Sequence, residues 1–332
     1  MNTLEFAKNA KLSLIIPLVK EAERSDISVS IISQKHKILK FESENKFFYS
    51  FADALPFCRQ YPLTLIKNKD ATKKMLAEYG LSIPKGIRAS SFVNAKKRIQ
   101  RNELDFPLIL KPIDGLRAIG VSWNIVSFAQ LAESIRSLKK IQVLSNRLKS
   151  RSFVIEEQFD GDEFRVLVLG NSAIACAKKI PATIVGNGFS TISELITTFN
   201  KKRKSDFEII IDDVVKKMFK KKKISLNTVP DKGEKIQLRN DMMLAHGGRA
   251  INYSEQISPE LEKICVKAAR AVGLEYAGVD ILIKKNDHKD IVPSAYNIIE
   301  VNTFPGHILN EAPLVEKPTV NVSKILLQYF LK

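Results

Sequence analysis

Three oxygen-bearing side chains near the end of the chain are spaced to share one ligand. Gly278-Val279-Asp280-Ile281-Leu282-Ile283 and Tyr296-Asn297-Ile298-Ile299-Glu300-Val301-Asn302 both read as β-branched strands. The break between them holds Lys284, Lys285, Asn286, Asp287, His288 and Pro293, which predicts an antiparallel hairpin with a long loop. Asp280 and Glu300 then lie on neighbouring strands, and Asn302, two residues past Glu300, points to the same face as Glu300. Two carboxylates and a carboxamide on otherwise apolar strands are costly unless something positive binds there. Hard oxygen donors suit Mg²⁺, which takes one or two carboxylates and fills its shell with phosphate oxygens. The same residues also fit a second description, carboxylates bonded to local lysines on a solvated sheet face.

Three other segments carry candidate chemistry. Lys111 ends a short apolar strand and is followed by Asp114-Gly115-Leu116-Arg117-Ala118-Ile119-Gly120-Val121. A strand-end lysine and a glycine-bearing loop can fold over a polyphosphate through backbone N–H groups and a fixed charge; an ordinary hairpin turn has the same signature. Glu156-Glu157-Gln158-Phe159-Asp160-Gly161-Asp162-Glu163-Phe164-Arg165 follows another strand. A carboxylate and open backbone at that junction can read an adenine edge, a second carboxylate a few residues on can take ribose hydroxyls, and Arg165 can meet phosphate or carboxylate in a bidentate way. A polar turn is the alternative. In His246-Gly247-Gly248-Arg249 the paired glycines permit close approach of a ligand to the backbone. His246 could act as an acid or base, but no partner for it is evident in the sequence, and a surface or packed histidine is the favoured description.

The elements that must hold these groups follow from periodicity. Residues 12–26 and 67–80 read as helices, the second ended by Gly80, and residues 28–32 alternate like a strand. Residues 106–112 and 153–157 are strands around a helix at 127–138. Residues 164–169 and 173–177 form a hairpin across Gly170-Asn171. Residues 190–223 hold two charged helices, and a helix at 258–272 leads into the Asp280 strand. This order, mixed and with antiparallel hairpins, favours an α+β architecture over a doubly wound sheet.

Composition narrows the class. No run approaches the roughly 20 apolar residues of a membrane span, and the start of the chain reads as an amphipathic helix entry rather than a signal peptide. Cys58, Cys176 and Cys265 have no paired spacing, which argues against a disulfide framework or zinc site and fits a reducing, cytoplasmic setting. The formal net charge is +17, much of it in runs at 201–204, 216–217 and 220–223. Such runs attract phosphate or nucleic acid. With few interleaved aromatics they read instead as a solvated lysine surface, so neither nucleic acid nor membrane is an expected partner.

Taken in order, these segments resemble the ATP-grasp superfamily of carboxylate–amine ligases, and within it the ATP-grasp module of bifunctional glutathione synthetases and of cyanophycin synthetases. The resemblance spans nearly the whole chain. It is carried by Asn68-Lys69-Asp70-Ala71-Thr72-Lys73, by Lys179-Ile180-Pro181-Ala182-Thr183-Ile184-Val185-Gly186-Asn187-Gly188 with Thr191-Ile192-Ser193-Glu194-Leu195-Ile196, and by Glu300-Val301-Asn302 through Pro305-Gly306. The opening at 12–29 also looks like the family's. The resemblance implies a short N-terminal β/α segment (1–66), a small α+β lid subdomain (67–156) and a larger antiparallel-sheet subdomain (157–332) with a lysine-rich helical insert around 190–235. It implies ATP and Mg²⁺, with Mn²⁺ an alternative, and amide formation between a small-molecule or peptide carboxylate and an amino-acid amine through an acyl phosphate. Homo-oligomer formation is left open.

By position the resemblance gives Lys69 and Lys111 to ATP phosphates and the loop with Gly115 and Gly120 to covering them. Glu156, Glu157 and Phe159 would contact adenine and Glu163 ribose. Asp280, Glu300 and Asn302 would hold the metal, and Arg165 and Lys179 would stabilise the acyl phosphate. His246, Gly247, Gly248 and Arg249 fall on the substrate loop. Leu116, Arg117 and Ala118 depart from the small residues of the relatives' covering loop, Asn187 replaces an aspartate, and Met243 to His246 depart from the relatives' substrate loop. The nucleotide and metal positions are kept and the acceptor positions altered, which points to a product other than glutathione.

Overall fold

A computed structural model of the chain describes residues 2–57, 60–102, 104–113, 119–144, 150–203, 207–284, 292–306, 315–316 and 320–331. The architecture is α+β and divides into two compact units. One comprises Met1–Gly86, Phe159–Ala177 and Asn252–Lys332; the other comprises Ile87–Gln158 and Lys178–Ile251. Packing therefore gathers residues 67–86 with the last strands, and residues 178–251 with the middle of the chain.

The first unit is built on antiparallel strands in the order Tyr296–Asn302, Tyr276–Ile283, Asp162–Leu169 and Ser172–Ile180. Alternation gives this sheet two different faces. Val279, Ile281, Phe164, Val166, Val168, Ile298 and Val301 point one way, into a core with Leu261, Cys265 and Ala268 of the helix Pro259–Ala271. That helix is well specified, with Ser258 accepting from Leu261 N and proline at its first position. On the opposite face, Leu167, Leu169 and Tyr276 pack into a second core with Ile15, Leu18 and Val19 of the helix Ile15–Ala22 and Leu326 and Leu327 of the helix Val322–Leu331. The three strands Ser28–Ser33, Ile38–Ser43 and Lys46–Phe51 add Leu39, Phe41 and Phe48 to it. Cys176 and Cys265 are buried and free, and burial pushes both thiols up.

The second unit contains a four-stranded sheet in the order Gly86–Ala89, Phe153–Glu157, Leu108–Pro112, Ser122–Ile125. Leu131, Ile135 and Leu138 of the helix Phe128–Leu144 close one face of its core with Leu108, Leu110, Ile125 and Phe153. A separate cluster joins Ile192 and Ile196 of the helix Ile192–Lys201 to Val215 and Phe219 of the helix Asp213–Lys222. Thr191 and Glu194 form a complete capping box on the first of these helices. Lys216, Lys217 and Lys220 to Lys223 are exposed. Among the described residues no helix is long and apolar enough to cross a membrane.

Candidate active site

The predicted hairpin forms, and Asp280 faces Glu300 directly in its register; the tip of its loop, residues 285–291, lies outside the described residues. On the other side of the same strand Asp280 faces Arg165. Arg165, Asp280 and Glu300 thus make one row across three strands, at the charged end of the face whose other end carries Leu167, Leu169 and Tyr276. Opposed like charges weaken a sheet, so the row needs its cations. Arg165 donates Nε to Asp280 Oδ1 at 2.6 Å and Nη2 to Asp280 Oδ2 at 2.7 Å, a bidentate pair. Lys69 Nζ lies 3.2 Å from Glu300 Oε1. Asn302 Nδ2 donates to Asp280 Oδ2 at 3.1 Å.

Local backbone chemistry sets up this row. The register shifts between Asp280 and Ile281, leaving Ile299 as an extra residue beside Glu300. The shift lies on the far side of Glu300 from Asn302, so the two keep a common face. Lys69 opens the helix Lys69–Glu78, which Asn68 caps by accepting from Ala71 N. Gly278 is required by close packing: a Cβ there would meet Pro305 Cβ at 2.7 Å and Arg165 Cδ at 3.1 Å. Burial alone would lower the Arg165 pKa, but the charge and hydrogen bonds of Asp280, with Glu300 and Glu163 behind them, raise it above the usual arginine value. Glu163 sits two residues before Arg165, opposite Leu282. Lys284 Nζ lies 5.9 Å from the centre of the Phe159 ring.

The second unit holds the other expected nucleotide groups. Lys111 Nζ lies 2.6 Å from Glu156 Oε2, on paired strands, and Glu156 is only 3% exposed. Glu157 Oε1 accepts from Asp105 N at 3.1 Å. Gly120 has a left-handed backbone, and a Cβ there would press on Leu138 Cδ1 at 2.7 Å, so its role is packing as well as turning. Gly115 and the rest of residues 114–118 lie outside the described residues. Lys179 is half-buried on the strand Ser172–Ile180.

The 239–249 segment holds what sequence reasoning missed. His246 has a partner: its Nδ1 lies 2.7 Å from Asp241 Oδ1. Asp241 Oδ2 accepts from Arg239 Nε at 2.9 Å, and Arg239 Nη1 donates to Asp212 Oδ2 at 2.7 Å. Asp212 also caps the helix Asp213–Lys222. Burial would raise the Asp241 pKa, but hydrogen bonds from His246 and Arg239 and their charges hold it below the usual carboxylate range. Only the nearness of Asp241 to His246 in sequence hinted at the pair, since no regular period links positions five apart. The glycines are used by the chain itself rather than left open: a Cβ on Gly247 would lie 2.3 Å from Ile209 Cγ1, and one on Gly248 2.7 Å from Met243 O. Arg203 ties this loop down by donating Nη2 to Gly248 O at 2.7 Å, and Arg249 beside it is half-buried.

Among the described residues no group of three or more His, Cys, Asp or Glu side chains converges as a metal cluster. The row offers two carboxylates and one carboxamide, a donor set that fits a hard divalent cation with part of its shell supplied by a ligand.

Comparison with known proteins agrees with this architecture. Residues 66–183 and 234–317 match the family described as RimK-like ATP-grasp domain. The cyanophycin synthetase of Synechocystis sp. is 28% identical over 254 residues, 74% of this chain and 28% of that protein. The glutathione biosynthesis bifunctional protein GshAB of Enterococcus faecalis is 26% identical over 320 residues, 92% of this chain and 41% of that one. The crystal structure of a bifunctional glutathione synthetase from Pasteurella multocida superposes with a TM-score of 0.68 at 18% identity, covering 94% of this chain and 43% of that one, a likeness of fold. The chain spans less than half the length of each of these proteins. With both matched segments together covering more than half of it, the chain belongs to the RimK-like ATP-grasp domain family.

Proposed function

We propose that the chain is an ATP- and divalent-metal-dependent ligase that joins a carboxylate to an amine through an acyl phosphate. The observation that carries this is the row Arg165–Asp280–Glu300 with Asn302 and Lys69 at its edges. Asp280, Glu300 and Asn302 are the residues that would hold the metal, Mg²⁺ first and Mn²⁺ by the same donors. The bound ion would supply charge neutralisation at the phosphates. Arg165 and Lys69 lie against those carboxylates, and their charges are the ones this row would offer to phosphate or to a developing oxyanion. Lys111 is a second phosphate group. Glu156, Glu157 and Phe159 are assigned to adenine, Glu163 to ribose, Lys179 to the acyl phosphate, and the loop at 114–121 with Gly115 and Gly120 to covering the phosphates. The chain then has little covalent work to do, and positioning and electrostatics carry the rate. Amino acids or peptides are the proposed substrates, and the free, buried cysteines support a reducing compartment such as the cytoplasm.

The alternative is a chain that binds nucleotide without turning it over. It is favoured by one observation, that both oxygens of Asp280 are already engaged by Arg165. ADP release with Mg²⁺, ATP and a pool of amino acids, γ-glutamylcysteine and short peptides separates the two. Substrate-dependent release with a new amide in the mass spectrum is expected. Tight ATP binding with no release from any pool would contradict the ligase.

A further inference from the structure

The helix Asp213–Lys222 is anchored on one face and charged on the other. Val215 and Phe219 are buried in the core it shares with the helix Ile192–Lys201, and Asp212 accepts from Val214 N and Val215 N at its start. The outer surface carries Lys216, Lys217, Lys220, Lys221, Lys222 and, just past the end, Lys223, all exposed. Residues four apart on a helix are neighbours, and like charges there weaken it; Lys216 with Lys220 and Lys217 with Lys221 are two such pairs. The helix dipole accounts for Lys220 to Lys222, which lie in the last turn. It does not account for Lys216 and Lys217, which lie in the first half. Lys223 takes a left-handed backbone, with φ 55°, at a helix end where glycine is the common choice. Among the described residues the carboxylate paired with this set is that of Asp213, 3.9 Å from Lys216 and itself 91% exposed. Lys222 Nζ donates to Gln237 O instead. Positive charge kept against these costs, on a firmly packed helix and with little counter-charge, makes a surface for an anionic partner.

We infer that this lysine face docks a peptide segment rich in aspartate and glutamate. Chemistry separates this partner from other polyanions. Single-stranded nucleic acid is held by aromatic platforms as well as by charge, and Phe219 is 5% exposed and turned into the core. A membrane-surface helix lays large apolar side chains into the lipid, and here Val215 and Phe219 face inward, leaving Val214 as the exposed apolar side chain. An extended peptide shows same-side side chains about 7 Å apart, close to the roughly 6 Å between helix neighbours four apart. Alternate acidic residues therefore meet Lys216 and Lys220, or Lys217 and Lys221, in turn. Each ammonium gives a charge-assisted hydrogen bond without a fixed fork, which suits mobile carboxylates. The docking surface is separate from the ligase function proposed above and does not depend on it.

Fluorescence anisotropy of a labelled peptide of alternating glutamate and alanine, titrated with the whole chain, tests this. Two quadruple variants stand beside wild type. One carries Lys216→Gln, Lys217→Gln, Lys220→Gln and Lys221→Gln. The other removes the same charge elsewhere, by Lys97→Gln, Arg101→Gln, Lys139→Gln and Lys140→Gln, all at exposed positions. Glutamine keeps helix propensity, and circular dichroism checks both folds. The peptide should bind wild type at about 0.15 M salt and more weakly as salt rises. The first variant should bind it about tenfold or more weakly, the second within about twofold of wild type. Should the first variant fail to fold, Lys217→Gln and Lys221→Gln taken singly should each lose part of the binding. No binding by wild type, or equal loss in both quadruple variants, overturns the inference. So does tighter binding of single-stranded or duplex DNA of the same charge, or of phosphatidylserine vesicles, than of the peptide.

Discussion

Both units hold a buried aspartate on an arginine, and they assemble the pair in opposite ways. Asp280 and Arg165 are 115 residues apart and meet because their strands pair in register; the arginine gives two nitrogens to one carboxylate. Asp241 and Arg239 are two residues apart, and the arginine divides itself between Asp241 and Asp212. The long-range pair belongs to a row that ends in Glu300 and Lys69, whose side chains are 35% and 26% exposed. Cations there can be exchanged for a ligand. The local pair ends in an open nitrogen on His246 at one side and in the partly exposed Asp212 at the other. One arrangement suits binding a cation, and the other suits holding a proton acceptor still.

Breaking the long-range pair should cost most. Arg165→Met leaves Asp280 buried without its bidentate partner and should destabilise the chain by about 3–5 kcal/mol, read by denaturant unfolding. A loss under about 1 kcal/mol would mean that water or Asn302 already satisfies Asp280.

The local network should come next, because Arg239 keeps Asp212 when Asp241 is changed. Asp241→Asn should cost about 2–3 kcal/mol at neutral pH. The folded-state pKa values of Asp241 and Asp212 are lowered, so their contribution is present above the unfolded carboxylate value of about 4 and is lost as pH falls through the folded values. An acid titration of stability should therefore be shallower in Asp241→Asn than in the wild type. Identical slopes would remove Asp241 from the account of acid stability.

The smallest effect is expected at Lys69. Lys69→Ala removes a partly exposed ion pair and should change stability by no more than about 1 kcal/mol, less still at high salt. ATP binding should weaken far more than stability does. A large stability loss with unchanged ATP affinity would make Lys69 a structural residue only.

The two arrangements also differ in how far they could be read from sequence. Asp280, Glu300 and Asn302 were legible because strand alternation is regular and the hairpin brings neighbours in sequence together. Their cations were not: Lys69 sits at a helix start more than 200 residues away, and no local pattern says which carboxylate it meets. Arg165 was legible as a bidentate group, but not its choice of Asp280. The Thr191–Glu194 capping box and Gly186, whose Cβ would lie 2.2 Å from Asp231 O, give physical reasons for part of the string that carries the family resemblance. The partner of His246 was not evident because side chains five apart across a 3₁₀ turn follow neither helix nor strand spacing. The strands Ile38–Ser43 and Lys46–Phe51 went unassigned although Leu39-Lys40-Phe41-Glu42 alternates apolar with charged, as a half-buried strand does, and Leu39, Phe41 and Phe48 are buried. The helix Phe92–Asn102 was missed for a similar reason: few apolar residues, among them Ala95 and Ile99, mark its inner face.

The measurement that tests the central claim most directly is ATP turnover by Glu300→Gln beside wild type, with circular dichroism of both. Glu300 is half-buried and its neighbour Val301 holds the core contact, so the fold should survive. The account predicts wild-type spectra with ADP release reduced at least about 10²-fold. Near-normal release from the folded variant would contradict the metal assignment, and with it the chemistry assigned to the row.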